Sequence, residues 1–185
     1  MQTGVDKQGV YRNVELGFSF TPPGGMHDKT ATANPADEKK DPNTIELLLF
    51  ELSGPDDAAL DWRALAVQSY PRDQVPTKDD VEAEAKLSRT IIGKSATPMG
   101  APAKLTINDI GYVLSRFQGA HGAVTEYSYV YATIIRGQMV AFAFTSNSTA
   151  QAEEMAEALK TLKVEPQKTS FLQLGLVPHY ERVSG

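Results

Sequence analysis

The segment from Val124 to Ile135 is a long run dense in β-branched and aromatic side chains, and two residues later Gln138 to Thr145 continues in the same manner. Between them stand Arg136 and Gly137, and glycine tolerates the positive φ that a tight hairpin turn demands. Val140, Phe142 and Phe144 fall on one face of the returning strand. This hairpin commits the chain to antiparallel pairing. Gly111 to Gln118 reads as a further strand, joined to the hairpin through a connection at Gly119 to Gly122.

Other elements must pack on that sheet. Leu16, Phe18 and Phe20 alternate with Gly17, Ser19 and Thr21, the period of a half-buried strand, which Pro22 to Gly25 ends. Leu47 to Phe50 are apolar in succession, so Thr44 to Leu52 reads as a strand covered on both faces. Arg63 to Tyr70 reads as a strand with Leu65 and Val67 inward, and a helix over the same residues stays open. Thr77 with Asp80 has capping-box spacing, and Val81, Ala85, Ser88 and Ile92 then share a helical face that Gly93 terminates. Glu82 and Lys86 form an i,i+4 pair on its outer side. Ser148 with Gln151 opens a second helix, whose apolar stripe is Ala152, Met155, Ala156, Leu159 and Leu162, with Lys160 and Lys163 in its last turn. One domain over residues 1–165 is expected, with a mobile loop at 22–43 that lacks large aliphatic residues after Met26, and a C-terminal tail at 166–185.

Composition excludes several kinds of chemistry. There is no cysteine, which removes thiol nucleophiles, thiolate metal sites and disulfide frameworks together. With Lys+Arg 18 against Asp+Glu 23, the net charge of −5 opposes nucleic acid and acidic membranes unless a local basic patch exists, and none is visible. The apolar runs fall far short of the roughly 20 residues of a spanning helix.

The residues that could carry a site are few. His27, His121 and His179 lack metal-ligand spacing, so no metal or cofactor is expected. The segment Gly93 to Thr97, GKSAT, resembles the end of a phosphate loop, but it closes a helix instead of opening one, and Ser88 stands where the first glycine belongs. Ser95 and Ser115 lack the flanks of a nucleophile elbow. The acids Asp79, Asp80, Glu82, Glu84, Glu153, Glu154 and Glu157 sit at helix starts or outer faces and read as solvated, so no catalytic residue is assigned. Asn147–Ser148–Thr149 matches a glycosylation sequon, which the helix cap already explains. The candidate binding face is Tyr127, Tyr129 and Tyr131, which project from one side of one strand, with His121 nearby; three tyrosines in register form a platform or pack beneath a helix.

The order of elements also carries a resemblance. YRNVELGFSFTPPGG at residues 11–25, INDIGYVLSRFQG at 107–119, YVYATIIRGQMVAFAFTSNS at 129–148 and AEEMAEALKTLKV at 152–164 resemble the PsbP-like, or Mog-like, α/β/α sandwich superfamily, including exported bacterial proteins of the DcrB type. The resemblance implies an α+β fold with a central, mainly antiparallel sheet and helices on both faces. It also implies a non-enzymatic binding or accessory role with a protein partner, as in an extrinsic photosystem subunit, a Ran-binding factor and bacterial lipoproteins or secretion chaperones. It carries over no functional residue. A periplasmic or exported location is implied by the resemblance alone; no signal peptide is visible, and Met1 to Gly9 suits a trimmed terminus.

Two other functions compete. One is a small-ligand enzyme or carrier with a pocket between the sheet and the loop at residues 26–43, lined by His121 and the tyrosines, which requires convergent polar groups and a perturbed titrating side chain. The other is an oligomeric structural protein whose C-terminal tail exchanges between copies.

Overall fold

The computed structural model describes residues 3–31, 45–52 and 62–166. Its strands and helices, in chain order, begin with β1 (Gly4–Val5), β2 (Tyr11–Asn13), β3 (Phe18–Phe20), β4 (His27–Asp28), β5 (Ile45–Leu52) and β6 (Arg63–Pro71). There follow α1 (Asp80–Ile92), β7 (Thr97–Pro98), β8 (Ala103–Ile107), β9 (Ile110–His121), β10 (Val124–Ile135), β11 (Gln138–Ser146), α2 (Thr149–Ala156) and β12 (Lys163–Val164). Among the described residues they form an eight-stranded sheet of order β4-β5-β6-β11-β10-β9-β7, with β8 also on β9, and a four-stranded sheet of order β1-β2-β3-β12. All pairings are antiparallel.

The β10–β11 hairpin is the spine. It pairs from Tyr127↔Ser146 to Ile135↔Gln138, leaving Arg136 (φ 50°) and Gly137 (φ 76°) as a two-residue turn. Two positive φ values twist the turn in the sense that the strands require. Asn108 (φ 50°) and Asp109 (φ 62°) make the same kind of turn between β8 and β9. Their short polar side chains tolerate the left-handed region.

Alternate residues of the spine enter two cores. Met139, Ala141 and Ala143 join Val130, Ala132 and Phe117 beneath Ala83 and Leu87 of α1. Val140, Phe142 and Phe144 join Tyr129 and Tyr131, the α2 residues Ala152, Met155 and Ala156, and Tyr11, Phe18 and Phe20 of the small sheet. The second core is aromatic: Phe142 meets Phe20 edge-on at 5.4 Å and Phe18 at 6.1 Å. A hydrogen bond of 3.2 Å from the Tyr11 hydroxyl to the Leu47 carbonyl ties the small sheet to β5.

Several sequence expectations need correcting. The α1 cap is Asp79, whose carboxylate accepts from the backbone N–H of Val81 and Glu82; Thr77 instead donates to the Glu82 carboxylate at 2.7 Å. The buried stripe of α1 is Ala83, Glu84, Leu87 and Ser88, rotated from the expected one, so Val81, Ala85 and Ile92 flank it. The alanines of the sheet below favour small residues on the contacting stripe, and the apolar periodicity alone does not see them. The connection expected at Gly119 to Gly122 is shorter. The strand β9 continues to His121 because Gly119 and Ala120 find ladder partners in Glu126 and Thr125, leaving Gly122 and Ala123 as the turn.

The second helix also ends early. From Glu157 to Thr161 the chain tightens into a 3₁₀ turn, and Lys163 and Val164 then pair with Ser19 and Phe18 to close the small sheet. Leu159 and Leu162 stay buried, so the apolar stripe holds although the helix does not. Ser148 occupies the cap position without a side-chain cap bond. The strand reading of Arg63 to Tyr70 holds, with Leu65 and Val67 fully buried. On β5, Leu48 and Phe50 are buried while Leu47 and Leu49 are half-buried and Ile45 is exposed, so its two faces are unequally covered. Of the loop at 22–43, His27 and Asp28 pair with Glu51 and Phe50, and residues 32–43 lie outside the described residues, as does the tail after Pro166.

Candidate binding cleft

The β9–β10 ladder stops before the hairpin does. Its last pair is Val113↔Ala132, whereas β10 stays paired to β11 as far as Ile135 and β8 stays paired to β9 as far as Ile110. The β8–β9 hairpin therefore leaves the sheet at this point, and the Thr133 hydroxyl spans the seam by donating to the Gly111 carbonyl at 2.8 Å. A cleft of about 720 Å³ opens there. Its walls are the first turns of α1 with Val81 and Glu84, the β8–β9 hairpin with Lys104, Leu105, Ile110 and Tyr112, and the end of β10 with Ile134, Ile135 and Arg136.

Glu84 is the distinctive group. It lies on the buried stripe of α1 with 7% of its surface exposed. Burial pushes its carboxyl up from the ordinary 4.5 to about 7, and neighbouring Asp80 adds to the rise while Arg72 and Lys104 oppose it. Asp80 itself is paired with Arg72 at 2.7 Å. Tyr112 is 2% exposed, its hydroxyl is buried without a hydrogen-bond partner, and burial raises its pKa. Arg136 is committed elsewhere: its guanidinium donates to the Glu15 carbonyl at 3.1 Å and the Glu165 carbonyl at 3.4 Å, so one rim of the cleft is fastened to the small sheet.

The tyrosines lie on the α2 face of the same ladder, from Tyr127 opposite Gln118 to Tyr131 opposite Leu114, next to the last pair. Tyr129 and Tyr131 are buried and Tyr127 is half-buried. Tyr131 packs edge-on against Phe144 and Tyr112, with ring centroids at 5.9 and 6.2 Å. The Arg116 guanidinium lies 5.4 Å from the Tyr129 ring centroid, and the Tyr129 hydroxyl is raised by burial and by Glu153 of α2 and lowered by Arg116. None of the three lines the cleft. His121 ends β9, and its side chain lies outside the described residues; His27 is exposed on β4, and His179 is beyond the described chain. Among the described residues, no three histidine or acidic groups gather as for a metal ion.

Both cleft groups are absent from the candidates that sequence reasoning supplies. Glu84 reads as a solvated acid in the first turns of a helix, and the structure overturns that because the β8–β9 hairpin closes over it. The turn at Asn108–Asp109 is the signal that could have located the hairpin.

Over 90% of this chain and 50% of the other, the structure resembles a crystal structure from Bacteroides thetaiotaomicron, with a TM-score of 0.52 and 14% identity. It resembles the cyanobacterial PsbP, CyanoP, of Synechocystis over 89% of this chain and 98% of that one, with a TM-score of 0.51 and 13% identity. The fold is PsbP-like. No protein-family model and no curated protein matches the sequence. The chain spans half the length of the Bacteroides protein and nearly all of CyanoP. At such identities the likeness concerns the PsbP-like fold alone, and the chemistry must come from the cleft. Among the described residues, no helix is long and apolar enough to cross a membrane.

Proposed function

We propose that this chain is a non-enzymatic binding domain that engages a protein partner through the cleft beside α1. The observation that carries the reading is the early end of the β9–β10 ladder, which creates a concave surface with an apolar floor at Leu105, Ile110 and Ile134 and charged groups at its rim. The remaining polar groups nearby are spent on structure: Asp80 on Arg72, Arg136 on two carbonyls, Thr133 on Gly111. The PsbP-like fold supports an accessory role. In this reading the layers form an α/β/α sandwich, with α1 over the alanine side of the spine and α2 with the small sheet over the aromatic side. An exported location goes with the same reading, and fractionation of the source cells with an antibody checks it.

The test is site-directed photocrosslinking. A crosslinking side chain at Lys104 captures a partner, and Ile110→Glu abolishes the capture, whereas the same group at Lys163, away from the cleft, captures nothing specific. Equal capture from both positions, or capture insensitive to Ile110→Glu, removes the cleft from the reading.

A second reading, a small-ligand carrier, has one observation in its favour. Glu84, buried and with no ion pair or side-chain hydrogen bond among the described residues, lines the cleft. The pocket expected beside the loop at 26–43 is not this one, since none of its described residues, 26–31, contributes to the cleft.

A further inference from the structure

We infer that the cleft accepts a primary ammonium group carried on an apolar stem, with the Glu84 carboxylate as its anchor. The inference rests on the cleft being the binding surface and specifies what that surface recognises. Glu84 is buried, yet its carboxyl makes no ion pair and no hydrogen bond among the described residues. A buried carboxylate left in that condition weakens the fold, and a ligand that supplies the missing charge recovers the loss. A carboxylate in an apolar cleft with no ion pair calls for a cationic donor.

The sign of the head group follows from the charges around it. Asp80, Glu84 and Asp109 face Lys104 and Arg136 across the cleft, with Arg72 behind Asp80. Arg136 is held by two carbonyls and Arg72 by Asp80, so Lys104 at the rim is the cation left to meet a ligand among the described residues. An anionic head would lie against Glu84 and Asp80 and be repelled. A neutral alcohol would leave the Glu84 charge uncompensated, whereas an ammonium donates up to three hydrogen bonds and neutralises it. The stem is set by Val81, Leu105, Ile110 and Ile134, and the volume of about 720 Å³ falls among small-molecule sites, which span roughly 300–1,000 Å³. The same chemistry occurs in a free aliphatic amine and in the lysine side chain of a docked protein segment.

The full chain is titrated by nitrogen-15 NMR at about pH 8 with hexylamine, hexanol and hexanoate, and with a capped lysine tripeptide. Hexylamine shifts the amides of Val81 to Ala85 and Ile110 to Val113 and binds about tenfold more tightly than hexanol or hexanoate. Glu84→Gln removes that preference and leaves hexanol binding within about twofold. Amine affinity falls as pH is lowered from about 8 to 6, because Glu84, pushed up to about 7 by burial, takes up a proton; Asp80, Asp109, Arg72, Lys104 and Arg136 are the other charged groups around it. Tighter binding of the tripeptide than of hexylamine identifies a protein as the source of the ammonium, and the reverse order identifies a free amine. Equal binding of all three hexyl compounds, a preference for hexanoate, or amine binding untouched by Glu84→Gln overturns the ammonium inference. Crosslinking from Lys104 judges the cleft separately, so partner capture there with no amine preference defeats this inference and leaves the binding reading standing.

Discussion

The two faces of the β9–β10 ladder are built to opposite purposes. On the α2 face, the rings of Tyr129, Tyr131 and Phe144 fill the space beneath the helix, and the charges nearby are matched, with Arg116 over one ring and Glu153 by its hydroxyl. On the α1 face, at the open end beyond Val113 and Ala132 where the strands part, the buried Glu84 has no ion pair and no side-chain hydrogen bond among the described residues. Both faces belong to one hairpin, so the difference is not one of overall stability. Complete packing consumes functional groups, whereas an interrupted ladder leaves groups for something else to satisfy.

The largest expected effect is on the filled face. Tyr131→Ala should cost about 3–5 kcal/mol in urea unfolding, because it removes a ring wedged between Tyr112 and Phe144 and leaves a void. Tyr127→Ala, at a half-buried position on the same strand face, should cost no more than about 1 kcal/mol. Similar losses at the two positions would mean that the tyrosine face is not packed as a core.

At the open end the sign reverses. The Glu84 pKa is raised from 4.5 to about 7, so between those values the folded chain binds the proton more strongly than the unfolded chain. Stability therefore falls as pH rises through that window, and the penalty is complete above about pH 7. Each pKa unit corresponds to about 1.4 kcal/mol, so the rise from 4.5 to about 7 puts the penalty at no more than about 3.5 kcal/mol. Glu84→Gln should raise stability by about 1–3 kcal/mol at about pH 8 and flatten the pH dependence between about 4.5 and 7, as read from unfolding midpoints. A variant that is less stable than the parent at about pH 8 would show that the carboxylate is satisfied where it lies.

How much of this was legible depends on how local the deciding interaction is. The spine is readable because a period of two and the Arg136–Gly137 turn lie within one stretch of sequence. The stripe from Ala152 to Leu162 is readable for the same reason, and so is the shared face of Phe18 and Phe20. The small sheet is not, since β1 and β12 are two residues each, too short for any period, and come from opposite ends of the described chain. The Asp79 cap competes with Thr77 at nearly the same spacing, and only backbone geometry decides between them. Glu84 is the clearest loss: its place in the first turns of a helix predicts solvent, and its burial is imposed by a hairpin whose own departure point, between Gly111 and Thr133, has strand-compatible residues on both sides. Tyr112 is core, and the missing partner of its hydroxyl has no sequence signal.

The smallest effect concerns the fastening between the open end and the small sheet. Gly17 has φ 63°, and a Cβ built on it would lie 2.1 Å from the Arg136 guanidinium. Gly17→Ala therefore acts twice, through the left-handed backbone and by pushing aside the side chain that holds the Glu15 and Glu165 carbonyls. The backbone alone costs about 1–2 kcal/mol, and the guanidinium, at the end of a flexible side chain, can move without collapsing the core. Arg136→Ala should remove the second contribution but not the first. Gly17→Ala should then cost less in the Arg136→Ala background than in the parent, a difference that a double-mutant cycle in urea reads directly. Additive losses would mean that the arginine does not fasten the small sheet to the cleft rim, and the open end would have to be treated as independent of the β3 layer.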